Sequence, residues 1–188
     1  MADRLELLRK SLTDCPVIKR GEYDYFIHPL VDGVPFIESE LLAQVTDEMV
    51  RMAPQGFERV VTVEAVGIPL GTMVSQKTGV PLNIIRKRPY FLENEHVIDQ
   101  STGYSKGKLY INGLFKGMKV LLIDDVLSTG GTIRAVIKGL QEVGVDILDV
   151  IILVEKSDIR ETLEEELGVK IKTMSKIEIV NGEVRVLR

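Results

Sequence analysis

The stretch Val-Leu-Leu-Ile-Asp-Asp-Val-Leu-Ser-Thr-Gly-Gly-Thr at 120–132 restricts the possible folds more than any other part of the chain. Four consecutive apolar residues, Val120 to Ile123, describe a strand buried on both faces, as in a parallel sheet. Two adjacent carboxylates, Asp124 and Asp125, follow at its end. Small polar residues and two glycines then make a tight turn. Beyond them Ile133, Val136, Ile137 and Leu140 recur with helical period over 131–143. A chain that runs strand, acids, glycine turn and helix carries free backbone N–H groups at the helix start, where the helix dipole favours phosphate. The hydroxyls of Ser128, Thr129 and Thr132 add donors, and Gly130 and Gly131 let an anion approach the backbone. Two like charges beside an apolar strand are costly to bury ionised. Sugar hydroxyls or a magnesium ion would relieve that cost, so the segment is expected to bind a phosphorylated sugar. A Walker-type loop would need a Gly-Lys-Ser/Thr ending, and a dinucleotide site would need G-x-G-x-x-G after its strand; neither occurs.

The segment resembles the signature of type I phosphoribosyltransferases, which bind 5-phosphoribosyl pyrophosphate (PRPP). The resemblance extends over roughly residues 25–160. Its overall character is similar to the adenine- and xanthine-type purine enzymes, and most closely to the archaeal hypoxanthine/guanine branch. It implies an α/β fold with a central parallel sheet flanked by helices, a core over about 38–156, and a hood from about 1–37 and 157–188. It also implies a homodimer, magnesium acting with PRPP, and a purine base as acceptor. Asp124 and Asp125 would hold the ribose hydroxyls and stabilise positive charge, and either could reach magnesium through water. Residues 128–132 would hold the 5′-phosphate.

Composition agrees with one globular domain. The chain has 188 residues, 45% apolar and 28% charged, enough for a sizeable core. A net charge of −4 argues against a general nucleic-acid footprint. No apolar run reaches the length of a membrane span. One cysteine, Cys15, rules out an internal disulfide and suits a reducing cytoplasm.

Around the signature, strand and helix alternate. A helix is expected over 3–12, an irregular or partly extended stretch over 13–37, and a helix from Ser39 to near Pro54. Strands are expected at 59–63, 82–86, 109–112, 118–124 and 149–155. Helices are expected at 67–77 and 159–167, and a terminal hairpin turning at Asn181-Gly182. Such alternation implies right-handed βαβ crossovers, with ligands beyond the C-terminal strand ends. The remaining candidate residues stand at those ends. Ala65, Val66 and Gly67 resemble the family's pyrophosphate loop, where a non-proline cis peptide is expected near Ala65–Val66. Arg86 and Lys87 match an Arg-Lys pair in related enzymes, and Arg suits phosphate. The polar stretch from about 88 to 108 reads as a mobile lid, with Tyr104, Ser105 and Lys106 at its closing end. His96 is expected to be exposed and His28 structural.

Lys156 ends the last central strand. Related 6-oxopurine enzymes place a lysine in this region. Lysine offers only donors, which suits the exocyclic oxygen of hypoxanthine or guanine better than the amino group of adenine. Phe36, with Val34 and Pro35, is a candidate for packing on the base. Ser128 stands where mammalian-type enzymes carry an acid, so the group that handles the base proton is unassigned. Two other readings stay open: an adenine phosphoribosyltransferase, and a non-catalytic PRPP-sensing regulator of the same fold.

Overall fold

In the computed structural model of the chain, residues 3–21, 23–101 and 106–187 are described. The N-terminal part holds α1 (Glu6–Thr13), the hairpin β1 (Val17–Arg20) and β2 (Tyr23–Phe26), the short α2 (Pro29–Asp32), and α3 (Ser39–Met52). Then follow β3 (Arg59–Val63), α4 (Gly67–Thr78), β4 (Leu82–Ile85) and the antiparallel pair β5 (His96–Ser101) and β6 (Lys106–Ile111). The chain continues through β7 (Lys119–Leu127), α5 (Gly131–Val143), β8 (Asp146–Glu155), α6 (Arg160–Leu167), β9 (Ile171–Val180) and β10 (Glu183–Val186).

The main sheet has six strands in the order β10-β9-β8-β7-β3-β4. All pairs are parallel except the terminal β9–β10 hairpin. Side-chain alternation sorts each central strand between two cores. Val120 and Leu122 of β7 and Val150 and Ile152 of β8 face one core with Ile133, Val136, Ile137 and Leu140 of α5. Leu121, Ile123, Ile151 and Leu153 face the other with Leu70 and Val74 of α4 and helices α1 to α3. Burial on both faces explains why these strands read as unbroken apolar runs.

The chain leaves β3 through α4 toward β4 on one side of the sheet. It leaves β7 through α5 toward β8 on the other side. Strand order therefore reverses between β3 and β7, which pair in parallel up to Thr62 and Ile123. A crevice opens beyond that point, the usual ligand position in open parallel sheets.

Three parts differ from the sequence reading. Residues 13–37 contain a real hairpin and α2, not only irregular chain. The segment read as a lid with little periodicity contains β5 and the first half of β6. The C-terminal region assigned to the hood instead continues the main sheet, because β9 pairs with β8 from Val150–Ile171 to Glu155–Lys176. Its hairpin turns at Asn181 and Gly182, at φ 54° and 79°, as a two-residue hairpin turn requires. No helix among the described residues is long and apolar enough to cross a membrane.

Candidate active site

The signature strand runs further than its apolar part. β7 continues through Asp124 and Asp125 to Leu127, with Asp124 opposite Ile152 and Val126 opposite Val154. Asp124 is buried and Asp125 partly buried. Burial pushes the Asp124 carboxyl above its ordinary range, offset in part by hydrogen bonding to Asp125 and by the Lys87 charge. Burial and the neighbouring Asp124 charge push Asp125 well above that range. One Asp125 carboxylate oxygen accepts the Val126 N–H at 2.9 Å, which fixes the group against its own backbone. Two carboxylates are thus held close together in a site that penalises their full ionisation.

Gly130, at φ 76°, turns the chain into α5, and no side chain caps that helix. Its first intrahelical bond runs from Arg134 N–H to the Gly130 carbonyl at 2.9 Å. The amides of Gly131, Thr132 and Ile133 precede it and lack helical acceptors. The Ser128 hydroxyl lies 3.0 Å from the Tyr23 hydroxyl of the N-terminal hairpin.

At the end of β3, the cis peptide joins Glu64 to Ala65, one bond before the expected place. Ala65, Val66 and Gly67 then enter α4. Gly67 sits against the buried Thr62: a Cβ there would lie 2.2 Å from Thr62 Oγ1 and 3.5 Å from Asp124 Oδ1. Glu64 accepts hydrogen bonds from Arg86 Nε and, at 2.8 Å, from the Lys87 N–H. The Arg86 guanidinium is thus tied to Glu64, while Lys87 lines the crevice with Glu64–Gly67 and both aspartates. The sequence grouped Arg86 and Lys87 as one anion contact; the structure separates them into a clamp and an open cation.

Two cavities meet here. One, about 250 Å³, holds Glu64 to Gly67, Lys87, Gln100, Asp124 and Asp125. The other, about 180 Å³, is walled by the turn 126–133, by Tyr23, Tyr25 and Phe26, and by Lys156. Val31, Val126 and Thr132 line both. Lys156 donates to the Asp24 carbonyl at 2.5 Å and sits 3.6 Å from the Tyr23 ring centroid. A cation on an aromatic face keeps its charge while its stem is packed.

The aromatic wall was missed from sequence. Tyr23, Tyr25 and Phe26 crowd three of the five Tyr and five Phe residues into four positions, a signal that was available. Phe36 is 61% exposed and lines neither of these cavities. Val34 and Pro35 line a separate apolar cavity of about 450 Å³ with Leu7, Cys15 and Leu41. Tyr104 and Ser105 lie outside the described residues; Lys106 is described only as the first residue of β6. Cys15 is a free thiol pushed up by burial to about 11. His28 is buried and lowered by burial to about 4. Its Nδ1 accepts from the Leu30 N–H at 3.2 Å, so the ring proton is on Nε2, facing Ser11 Oγ. That tautomer cannot take a proton from Ser11, and the pair is structural. His96 pairs with Glu142 at 2.9 Å, away from both aspartates.

An uncapped helix start, a buried and a partly buried acid and the β3–α4 loop are gathered at the switch of a parallel sheet. The family described as "Phosphoribosyl transferase domain" matches residues 38–183, and the chain belongs to it. A protein named hypoxanthine/guanine phosphoribosyltransferase from Methanococcus maripaludis is 50% identical over 181 residues, 96% of this chain and 98% of that protein. One of the same name from Methanocaldococcus vulcanius is 50% identical over 96% of this chain and 100% of its own length. Among solved structures, adenine phosphoribosyltransferase from Thermoanaerobacter pseudethanolicus is similar in fold, with a TM-score of 0.76 at 21% identity, covering 92% of this chain and 99% of that one.

Proposed function

We propose that the chain is a purine-salvage enzyme that transfers 5-phosphoribose from PRPP to a 6-oxopurine, hypoxanthine first and guanine second. The anomeric C–O bond to pyrophosphate breaks, the C–N bond to the base forms, and a nucleoside 5′-monophosphate is released. The observation that carries this reading is the pair of joined cavities: the paired acids, the 65–67 loop and Lys87 in one, the phosphate-directed amides of the 129–132 turn and a lysine held on a tyrosine face in the other. The names of relatives about 50% identical over nearly the whole chain support it.

In this reading the 129–132 turn and the first amides of α5 hold the 5′-phosphate. Asp124 and Asp125 accept the ribose hydroxyls and stabilise the positive charge that develops as the C–O bond lengthens. The 65–67 loop and Lys87 hold pyrophosphate, with Arg86 keeping Lys87 in place through Glu64. Positioning supplies much of the rate, and no covalent nucleophile is required. No group of three or more His, Cys, Asp or Glu side chains among the described residues could hold a metal ion. Magnesium enters in this reading as part of the substrate, bound mainly by PRPP oxygens and keeping several waters. Action as a homodimer in the cytoplasm belongs to the same proposal.

The test is a purine panel: hypoxanthine, guanine, xanthine and adenine, each with PRPP and magnesium, scored by monophosphate formed. Turnover of hypoxanthine and guanine is expected, and efficient adenine turnover would overturn the substrate. PRPP binding without turnover of any base would favour a regulator. Removing the Lys156 ammonium by Lys156→Ala is expected to lower kcat/KM for hypoxanthine roughly 10- to 100-fold, the range for a lost charged hydrogen bond. Residual adenine use should change little, and equal losses would remove the selectivity role.

The paired acids also give a pH prediction. Both carboxyls are raised in the free protein, and ribose hydroxyls bind their ionised forms. PRPP binding should therefore release protons at pH values between about 3.8 and the raised values, and affinity should climb with pH across that window. Titration calorimetry in buffers of different ionisation enthalpy checks it; proton uptake would contradict the assignment.

A further inference from the structure

β5 lies along α5. Ile98 of β5 packs where Gly139 of α5 has no side chain: a Cβ on Gly139 would lie 2.4 Å from Ile98 Cγ2. Two residues earlier on the same strand face, His96 Nε2 lies 2.9 Å from Glu142 Oε2. Two residues later, Gln100 Nε2 donates to Thr132 Oγ1 at 2.6 Å. Strand positions 96, 98 and 100 thus meet helix positions 142, 139 and 132. Four strand residues span about 13 Å and ten helix residues about 15 Å, so the two elements remain in step from the far end of α5 to its N-terminus. On the other side of the ribbon, Arg86 pairs through its backbone with Tyr110 of β6, with bonds of 3.1 and 2.8 Å. The base of the ribbon is fixed to the body on two sides.

The Gln100–Thr132 bond has a chemical consequence. Thr132 opens α5 and lines both cavities. A hydroxyl has one proton to donate and lone pairs to accept. Accepting the Gln100 amide leaves that proton to point elsewhere, toward an anion at the helix start. We propose that Gln100 is a positioning residue for the 5′-phosphate site: it orients the Thr132 hydroxyl as a donor to phosphate and so couples phosphate occupancy to the β5–β6 ribbon. The inference rests on the assignment of the 129–132 turn to the 5′-phosphate. In the chain amide, hydroxyl, phosphate, each bond polarises the next, and loss of the first weakens the last.

The experiment measures binding of ribose 5-phosphate and, separately, of pyrophosphate to the full chain, for wild type, Gln100→Ala, Thr132→Val and the double variant. Wild type is expected to bind both ligands. Gln100→Ala should weaken ribose 5-phosphate about 3- to 10-fold, the range for one neutral hydrogen bond, and leave pyrophosphate unchanged. On the Thr132→Val background the same change should have less than a twofold effect, because the hydroxyl it orients is gone. Gln100→Glu keeps the shape but offers an acceptor that draws the Thr132 proton away from phosphate, so it should weaken ribose 5-phosphate more than Gln100→Ala does. An equal loss with and without the Thr132 hydroxyl would overturn the inference and make Gln100 a direct ligand. A loss shared equally by pyrophosphate would reduce it to general packing. Wild-type protein that binds pyrophosphate but not ribose 5-phosphate would instead sink the phosphate assignment beneath it.

Discussion

Changing Asp125 to Asn is expected to cut kcat by a factor of roughly 100 to 1,000, the usual cost of removing one preorganised charge-stabilising group, while the protein stays folded and melts no lower. The two halves of this expectation have one physical cause. Both carboxyls are raised, so the folded state holds protons that the unfolded chain would already have released. The contribution of this pair to stability is fully present below about pH 3.8 and is lost as pH rises through the raised folded values. At neutral pH the pair is a strained element of the fold, and an amide at 125 removes one charge from it. The backbone is unaffected, because Asp124 keeps its place opposite Ile152 in the sheet. Steady-state kinetics and a thermal melt of the same sample check both halves. Near-wild-type turnover would remove the assigned role; a large loss of melting temperature would mean that the charge at Asp125 serves the fold.

Gly67→Ala is expected to cost about 1–3 kcal/mol of stability, the range for overpacking a filled interior, and to raise KM for PRPP more than KM for the base. The added methyl would arrive 2.2 Å from Thr62 Oγ1. Thr62 is fully buried and β-branched, so it has few ways to turn aside. Its hydroxyl has no hydrogen-bond partner, so removing it in a Thr62→Ala, Gly67→Ala double variant should recover much of the lost stability. Denaturant unfolding of the single and double variants measures the coupling directly. Simple additivity would show that the loop tolerates the methyl by moving away from β3.

The parallel core was legible because its strands are buried on both faces and its helices end at glycines. β3 spans 59–63 and α5 spans 131–143, as their patterns imply. The acids and the turn after them were equally plain, since their chemistry is contained in thirteen consecutive residues. What sequence did not reveal depends on contacts made across the chain. β1 and β2 are four residues each, with charged side chains and breakers on either side, and they become a hairpin by pairing with each other and meeting Ser128 and Lys156 just beyond the ends of β7 and β8. Among the described side chains of β5 only Ile98 is buried, and Val97 and Ile98 are adjacent, so apolar residues do not alternate along it to mark a strand. Gln100 gave no signal, because its significance is a partner 32 residues away. The partner of Arg86 was hidden for the same reason: the carboxylate that holds it comes from the end of a different strand.

The wall of the cavity around Lys156 spans a long interval of synthesis as well as of sequence. Tyr23 meets Ser128 across 105 residues, and Lys156 meets Asp24 across 132. At about 5–20 residues per second, the ribosome emits the hairpin roughly 7 to 26 s before the lysine that it will shelter. During that interval Tyr23, Tyr25 and Phe26 have no Lys156 to pack against. The aromatic wall of this cavity is thus made well before the lysine it shelters, and the interval between them is set by translation rather than by the speed of folding.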